Sequence, residues 1–66
     1  MKTGDRIKEY RKERNLSQAQ LAKAIGVSQK AVDYLERNVS EPKVSYIILL
    51  VKFFNVTFDE FFEDID

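Results

Sequence analysis

This chain contains no cysteine and no histidine. A disulfide, a thiolate nucleophile, a zinc finger of the usual kind and an imidazole acid or base are thereby excluded. With only two glycines there is no glycine-rich phosphate loop, and no nucleophile and base stand out as a pair. The composition therefore argues against an enzyme, a metal centre or a cofactor. One proline, Pro42, and no low-complexity stretch leave no place for a linker. The longest apolar run, Tyr46 to Val51, falls far short of the ~20 residues a membrane helix needs. The first residues also lack the apolar segment of a signal peptide. The expectation is one soluble, cytoplasmic domain over residues 1–66, small enough to have a thin stability margin.

What is present is charge, and it is unevenly placed. Eleven basic and eleven acidic side chains cancel overall, but residues 1–30 hold eight Lys/Arg against three Asp/Glu, a net of +5. Residues 31–43 carry −1 and residues 44–66 carry −4. Such poles suit a protein that offers one face to a polyanion and keeps an acidic tail away from it. A solvated helical surface with an acidic end would give the same pattern.

The apolar spacing predicts five helices and no strand, an all-α compact five-helix bundle. A first helix runs from about Asp5 to Arg14, with Ile7 and Tyr10 on one face, Leu16 in the turn and Thr3 as its cap. A second begins at Ser17, where Gln20 three residues on completes a capping box, and points Leu21, Ala22 and Ile25 inward. Gly26 ends it, because glycine accepts the positive φ that reverses the chain there. Ser28 caps a third helix with Ala31, Val32 and Leu35 at core spacing, and Asn38 closes it. A fourth helix spans about Val44 to Phe54, burying Ile47, Ile48, Leu50, Val51 and Phe54. Thr57 and Glu60 form another capping box, opening a short fifth helix that carries Phe58, Phe61 and Phe62.

The second and third helices, about residues 17–37, have the proportions of a helix-turn-helix: two short helices joined through a tight glycine turn. In that motif the second helix enters the DNA major groove with its amino-terminal residues at the base edges, while the first crosses the backbone. The Ser-Gln pairs, Ser17-Gln18 and Ser28-Gln29, stand at the two helix starts. Serine caps the amides there, the dipole favours phosphate, and glutamine projects from the first turn.

The stretch RIKEYRKERNLSQAQLAKAIGVSQKAVDYLERN, the single Pro42 and NVTFDEFF near the end resemble the lambda-repressor and Cro-like (xenobiotic-response-element) helix-turn-helix domains. The resemblance covers Asp5 to Phe62 and implies a five-helix bundle acting as a homodimer on a palindromic operator in double-stranded DNA, most often as a repressor. It implies that Gln29 reads a base, most naturally adenine through a bidentate amide, and that Gln18 contacts the backbone and braces Gln29. Lys30, Asp33 and Tyr34 are the other base candidates: Lys30 for guanine or a phosphate, and Asp33 for a cytosine amine or for holding Lys30 or Gln29. Ser17, Lys23, Ser28, Arg37, Asn38, Ser40 and Lys43 are the remaining backbone candidates. Arg11 and Glu36 correspond to an ion pair joining the first helix to the end of the recognition helix.

Two features depart from the family pattern. Members often carry several basic residues before the proline, whereas here the loop reads Asn38-Val39-Ser40-Glu41-Pro42-Lys43, which implies modest affinity and strong salt dependence. The fourth helix also has a second apolar stripe, Tyr46, Leu49 and Phe53. It either forms a dimer face with the fifth helix over residues 44–63, or closes the core against that helix. A protein-interaction module, such as an antitoxin-like or anti-repressor partner, is the alternative function. Binding of RNA or single strands fits poorly, since Tyr10, Tyr34 and Tyr46 lie on different helices and form no stacking platform.

Overall fold

A helix starts where a side chain supplies what the first turn of backbone lacks, and in four of the five helices that side chain is local. The computed structural model describes residues 1–66 and contains α1 (Thr3–Glu13), α2 (Gln18–Ile25), α3 (Gln29–Glu36), α4 (Val44–Phe54) and α5 (Phe58–Phe62). At α2 both arms of the capping box form, Gln20 N–H donating to Ser17 Oγ at 3.0 Å and Ser17 N–H to Gln20 Oε1 at 2.8 Å. Thr57 and Glu60 repeat this at α5, with 3.0 and 2.9 Å. At α3 the Ala31 N–H donates to Ser28 Oγ at 3.1 Å. The first helix differs from expectation: Thr3 lies inside it, Lys2 holds the cap position, and Asp5 in the first turn reaches back to accept from the Lys2 N–H at 2.9 Å. Only α4 begins without a side-chain cap, Lys43 standing at its start.

The ends follow from residues that tolerate left-handed backbone. Gly26 has φ +78°, and Asn15, Asn38 and Asn55 lie at +56°, +60° and +58°. Asparagine is the side chain best suited to this region after glycine. Each of the four therefore stops a helix and lets the next fold back.

Ile7, Leu21, Ala22, Ile25, Val32, Leu35, Leu50, Val51, Phe54 and Phe61 form one buried cluster drawn from all five helices. A side chain the size of Phe54 or Phe61, fully enclosed, contributes about 1.5–3 kcal/mol through burial. Ile48 does not join them: it is 37% exposed, and Ile47, only half-buried, packs against the core instead. The reason is that α4 is apolar around most of its circumference, so spacing alone could not choose its inner face. Ala31 is half-buried, and of the three α5 phenylalanines only Phe61 turns inward.

Arg6 of α1 and Arg14 at its C-terminal cap complete the packing. The Arg6 guanidinium donates to the carbonyls of Glu60, Phe61 and Glu63, and Arg14 Nη2 donates to the Phe54 carbonyl at 2.6 Å. These carbonyls lie at the C-terminal ends of α5 and α4, where helices have carbonyls to spare; that of Glu60 also accepts from Glu63 N–H at 3.4 Å. Tyr10 lies between the two cations, its ring 5.6 Å from Arg6 and 5.5 Å from Arg14, and packs edge-on to Phe54. On the other side of α1, Gly4 approaches the end of α3 so closely that a Cβ there would lie 2.0 Å from the Leu35 carbonyl oxygen.

Candidate nucleic-acid interface

The turn between α2 and α3 is held by two amides on one carbonyl: Gly26 N–H and Val27 N–H donate to Ala22 O at 2.9 and 3.0 Å. This geometry packs Val32 and Leu35 of α3 inward and leaves Gln29 and Lys30 in its first turn exposed. Each capping serine serves the third amide of its helix, so the first two stay free: Gln18 and Ala19 in α2, Gln29 and Lys30 in α3. Four main-chain donors thus stand unpartnered at two positive dipole ends, an arrangement whose chemistry suits an anion. Reading side chains alone misses Ala19 and the Lys30 amide; the serine caps were the signal that could have revealed them.

The angle of α3 is fixed from α1. Arg11 Nε and Nη2 donate to the two oxygens of Glu36 at 2.6 and 3.0 Å, and Arg11 Nη1 donates to the Leu16 carbonyl at 2.6 Å. Both side chains are almost fully buried, 10% and 2% exposed. Hydrogen bonding to Glu36 raises the Arg11 pKa above its ordinary range, against an opposing effect of burial, so the guanidinium keeps its charge.

Around this pair the polar groups of the interface divide. Gln18 does not meet Gln29: its Nε2 donates to Glu36 Oε1 at 3.2 Å and lies 3.5 Å from Asp33 Oδ1. Asp33 holds neither Lys30 nor Gln29, and pairs instead with Arg37 Nε at 3.2 Å, one turn along α3. Lys30 Nζ and the Arg37 guanidinium each lie 5.4 Å from the centre of the half-buried Tyr34 ring. Asn38, though exposed, is engaged with α1, accepting from Gly4 N–H at 3.0 Å and donating to Asp5 at 3.2 Å. These two bonds hold it to the start of α1. Lys23, Ser40 and Lys43 remain exposed, and Ser40 and Lys43 join Ser28, Lys30, Tyr34 and Tyr46 around a groove between α3 and the start of α4.

The acidic end is not remote from this face. Asp66 N–H donates to the Met1 carbonyl at 3.1 Å, and Asp66 shares a polar hollow with Ser40 and Glu41. Closure of the chain ends on each other places it there. On α4, Leu49 and Phe53 are 40% and 39% exposed while Tyr46 packs partly against the core. Ile48, Phe58 and Phe62 add further exposed apolar surface.

Two short helices meeting at a glycine turn, with the second buttressed by α1 and α2 and its start open to solvent, define the helix-turn-helix class. The chain matches the helix-turn-helix family model over residues 7–61 and belongs to that family. An uncharacterized HTH-type transcriptional regulator of Methanocaldococcus jannaschii is 33% identical over 58 residues, 88% of each chain. Another from Archaeoglobus fulgidus is 32% identical over 57 residues, covering 86% of this chain and 80% of that one. Among solved structures, the crystal structure of the P22 c2 repressor in complex with a synthetic operator superposes with a TM-score of 0.84 at 33% identity over 92% of both chains. The solution structure of the P22 c2 repressor DNA-binding domain gives 0.88 at 31% identity, over 97% of this chain and 84% of that one.

Proposed function

We propose that this protein binds double-stranded DNA sequence-specifically as a homodimer and regulates transcription in the cytoplasm, repressing by occupying an operator. One observation carries the reading. The first turn of α3 exposes Gln29, Lys30 and their free amides, while the rest of that helix is locked by Val32, Leu35 and the Arg11–Glu36 pair. A helix so held can enter a major groove without reorganising. The relative solved on an operator supports the same use of the fold.

In this reading Gln29 reads adenine N6 and N7, Lys30 reads guanine or holds a phosphate, and Tyr34 packs against the base edges. The Gln18 and Ala19 amides, the Ser17 and Ser28 caps, Lys23, Ser40 and Lys43 meet the backbone. Tyr46, Leu49 and Phe53 join two copies, with recognition helices about 34 Å apart, one turn of DNA. Its role is binding rather than catalysis, and the apolar face of α4 is occupied by the second copy rather than by an unrelated protein.

Selection of random duplex DNA on the purified protein at two salt concentrations tests this. The expected product is an inverted repeat with half-sites about one turn apart, lost on Gln29→Ala with Lys30→Ala. Binding without sequence preference that vanishes at the higher salt would reduce the basic half to an electrostatic footprint.

A further inference from the structure

One line of polar contacts crosses the interface from Arg11 through Glu36, the Gln18 amide and Asp33 to Arg37, with the neutral amide standing between the two carboxylates. Glu36 is sealed within the protein, but the Asp33 side chain is 37% exposed on the recognition helix, where a carboxylate would repel phosphates. Both of its oxygens are engaged: Oδ1 faces the Gln18 amide at 3.5 Å and Oδ2 faces Arg37 Nε at 3.2 Å. A cytosine amine would therefore have to share an oxygen that already serves a partner within the protein. The Gln18 amide must also turn its NH2 toward Asp33 and Glu36, since its carbonyl would be repelled by either carboxylate. Arg37, meanwhile, is drawn back along α3 over the Tyr34 ring.

From this geometry we infer that Asp33 is a positioning residue and an internal competitor for Arg37: it orients Gln18 and keeps one cation of the recognition helix off the DNA phosphates, so it lowers affinity without reading a base. The inference builds on the DNA-binding reading above. It assigns a regulator of affinity to the helix that otherwise carries specificity. A repressor occluding an operator has to leave it, and one withheld phosphate contact is a direct way to keep residence short.

The test is Asp33→Asn, nearly the same shape with no charge. On the selected operator its binding is expected to be about two- to fivefold tighter, the scale of an exposed ion pair, with an unchanged consensus. The salt dependence should steepen by about one phosphate contact. Arg37→Ala should weaken the native protein less than twofold yet abolish the gain in the Asp33→Asn background. Loss of preference at one base pair in Asp33→Asn would mean that the carboxylate reads a base, and an equal effect of Arg37→Ala in both backgrounds would mean that Arg37 is already on a phosphate. Either result overturns the inference. A readout free of DNA separates it from the DNA-binding reading: NMR signals of the Gln18 side-chain amide and the Arg37 Nε–H in the free protein should shift on Asp33→Asn. If they do not move, Asp33 positions neither group and the inference fails even where operator binding holds.

Discussion

Replacing Arg11 by alanine removes three donors at once: two from Glu36 and one from the Leu16 carbonyl. Glu36 is then left 2% exposed with only the Gln18 amide beside it. Breaking a buried pair in this way costs about 3–5 kcal/mol, because the remaining charge is uncompensated. A domain of 66 residues has roughly 3–10 kcal/mol of stability in total. At about 4–8 °C per kcal/mol for this size, the melting temperature should fall by at least ~12 °C, or the chain should be unfolded at room temperature. Thermal and urea unfolding followed by circular dichroism reads this directly. The companion variant, Arg11→Met with Glu36→Leu, fills the same space without charge and should recover most of the loss. A fall of less than ~4 °C for Arg11→Ala would place the pair in the exposed class, worth about 1 kcal/mol or less, and refute the reasoning.

The two glycines should fail for different reasons. In Gly4→Ala the new Cβ meets the Leu35 carbonyl and the Asn38 amide, so α1 must shift from α3 at a cost of about 1–3 kcal/mol by urea unfolding. Gly26→Ala meets nothing within 4 Å and should cost only the left-handed backbone penalty, about 1–2 kcal/mol. On acidification Asp5 should contribute to unfolding, since the Lys2 amide and then Asn38 hold its pKa below the ordinary 3.8. Its stabilisation is complete above the unfolded pKa and is lost as pH falls below that value and through the lowered folded one, and Asp5→Asn should flatten an acid titration in that window. Leu49→Lys should turn a dimer into a monomer in sedimentation equilibrium while changing unfolding free energy by no more than about 0.5 kcal/mol. An unchanged dimer would put the interface elsewhere.

Much of this architecture is legible because it is written in short-range chemistry. Ser17 with Gln20, Thr57 with Glu60, Ser28 and Gly26 each act on backbone within a few residues, so their roles can be read from spacing alone, as can the span of α4. What could not be read is what reaches across the chain. Nothing near Arg6 in sequence reveals that its partners are carbonyls more than fifty residues away. Gly4 looks like an ordinary helix residue until the end of α3 is brought against it. The polar face misleads similarly: Gln18, Asp33 and Asn38 have the chemistry of DNA contacts, yet each bonds first within the protein. Ile48 failed through redundancy, since a helix apolar on nearly every side gives periodicity nothing to discriminate.

Arg6 and Arg11 of α1, and Arg14 at its C-terminal cap, each grip a different element: the end of α5, the recognition helix and the end of α4. Helix α1 is thus a common shaft on which the reading head and the two helices proposed to join the subunits are mounted. In a dimer assembled through α4 and α5, the distance between the two reading heads is set along a rigid train that runs through both copies of α1. Play in the Arg6 or Arg14 clamp, with Arg11 still holding α3, would leave each head as competent as before on half an operator. It would instead widen the range of spacings that the pair accepts, so that in such a dimer α1 would be the part of the molecule that measures the operator's length.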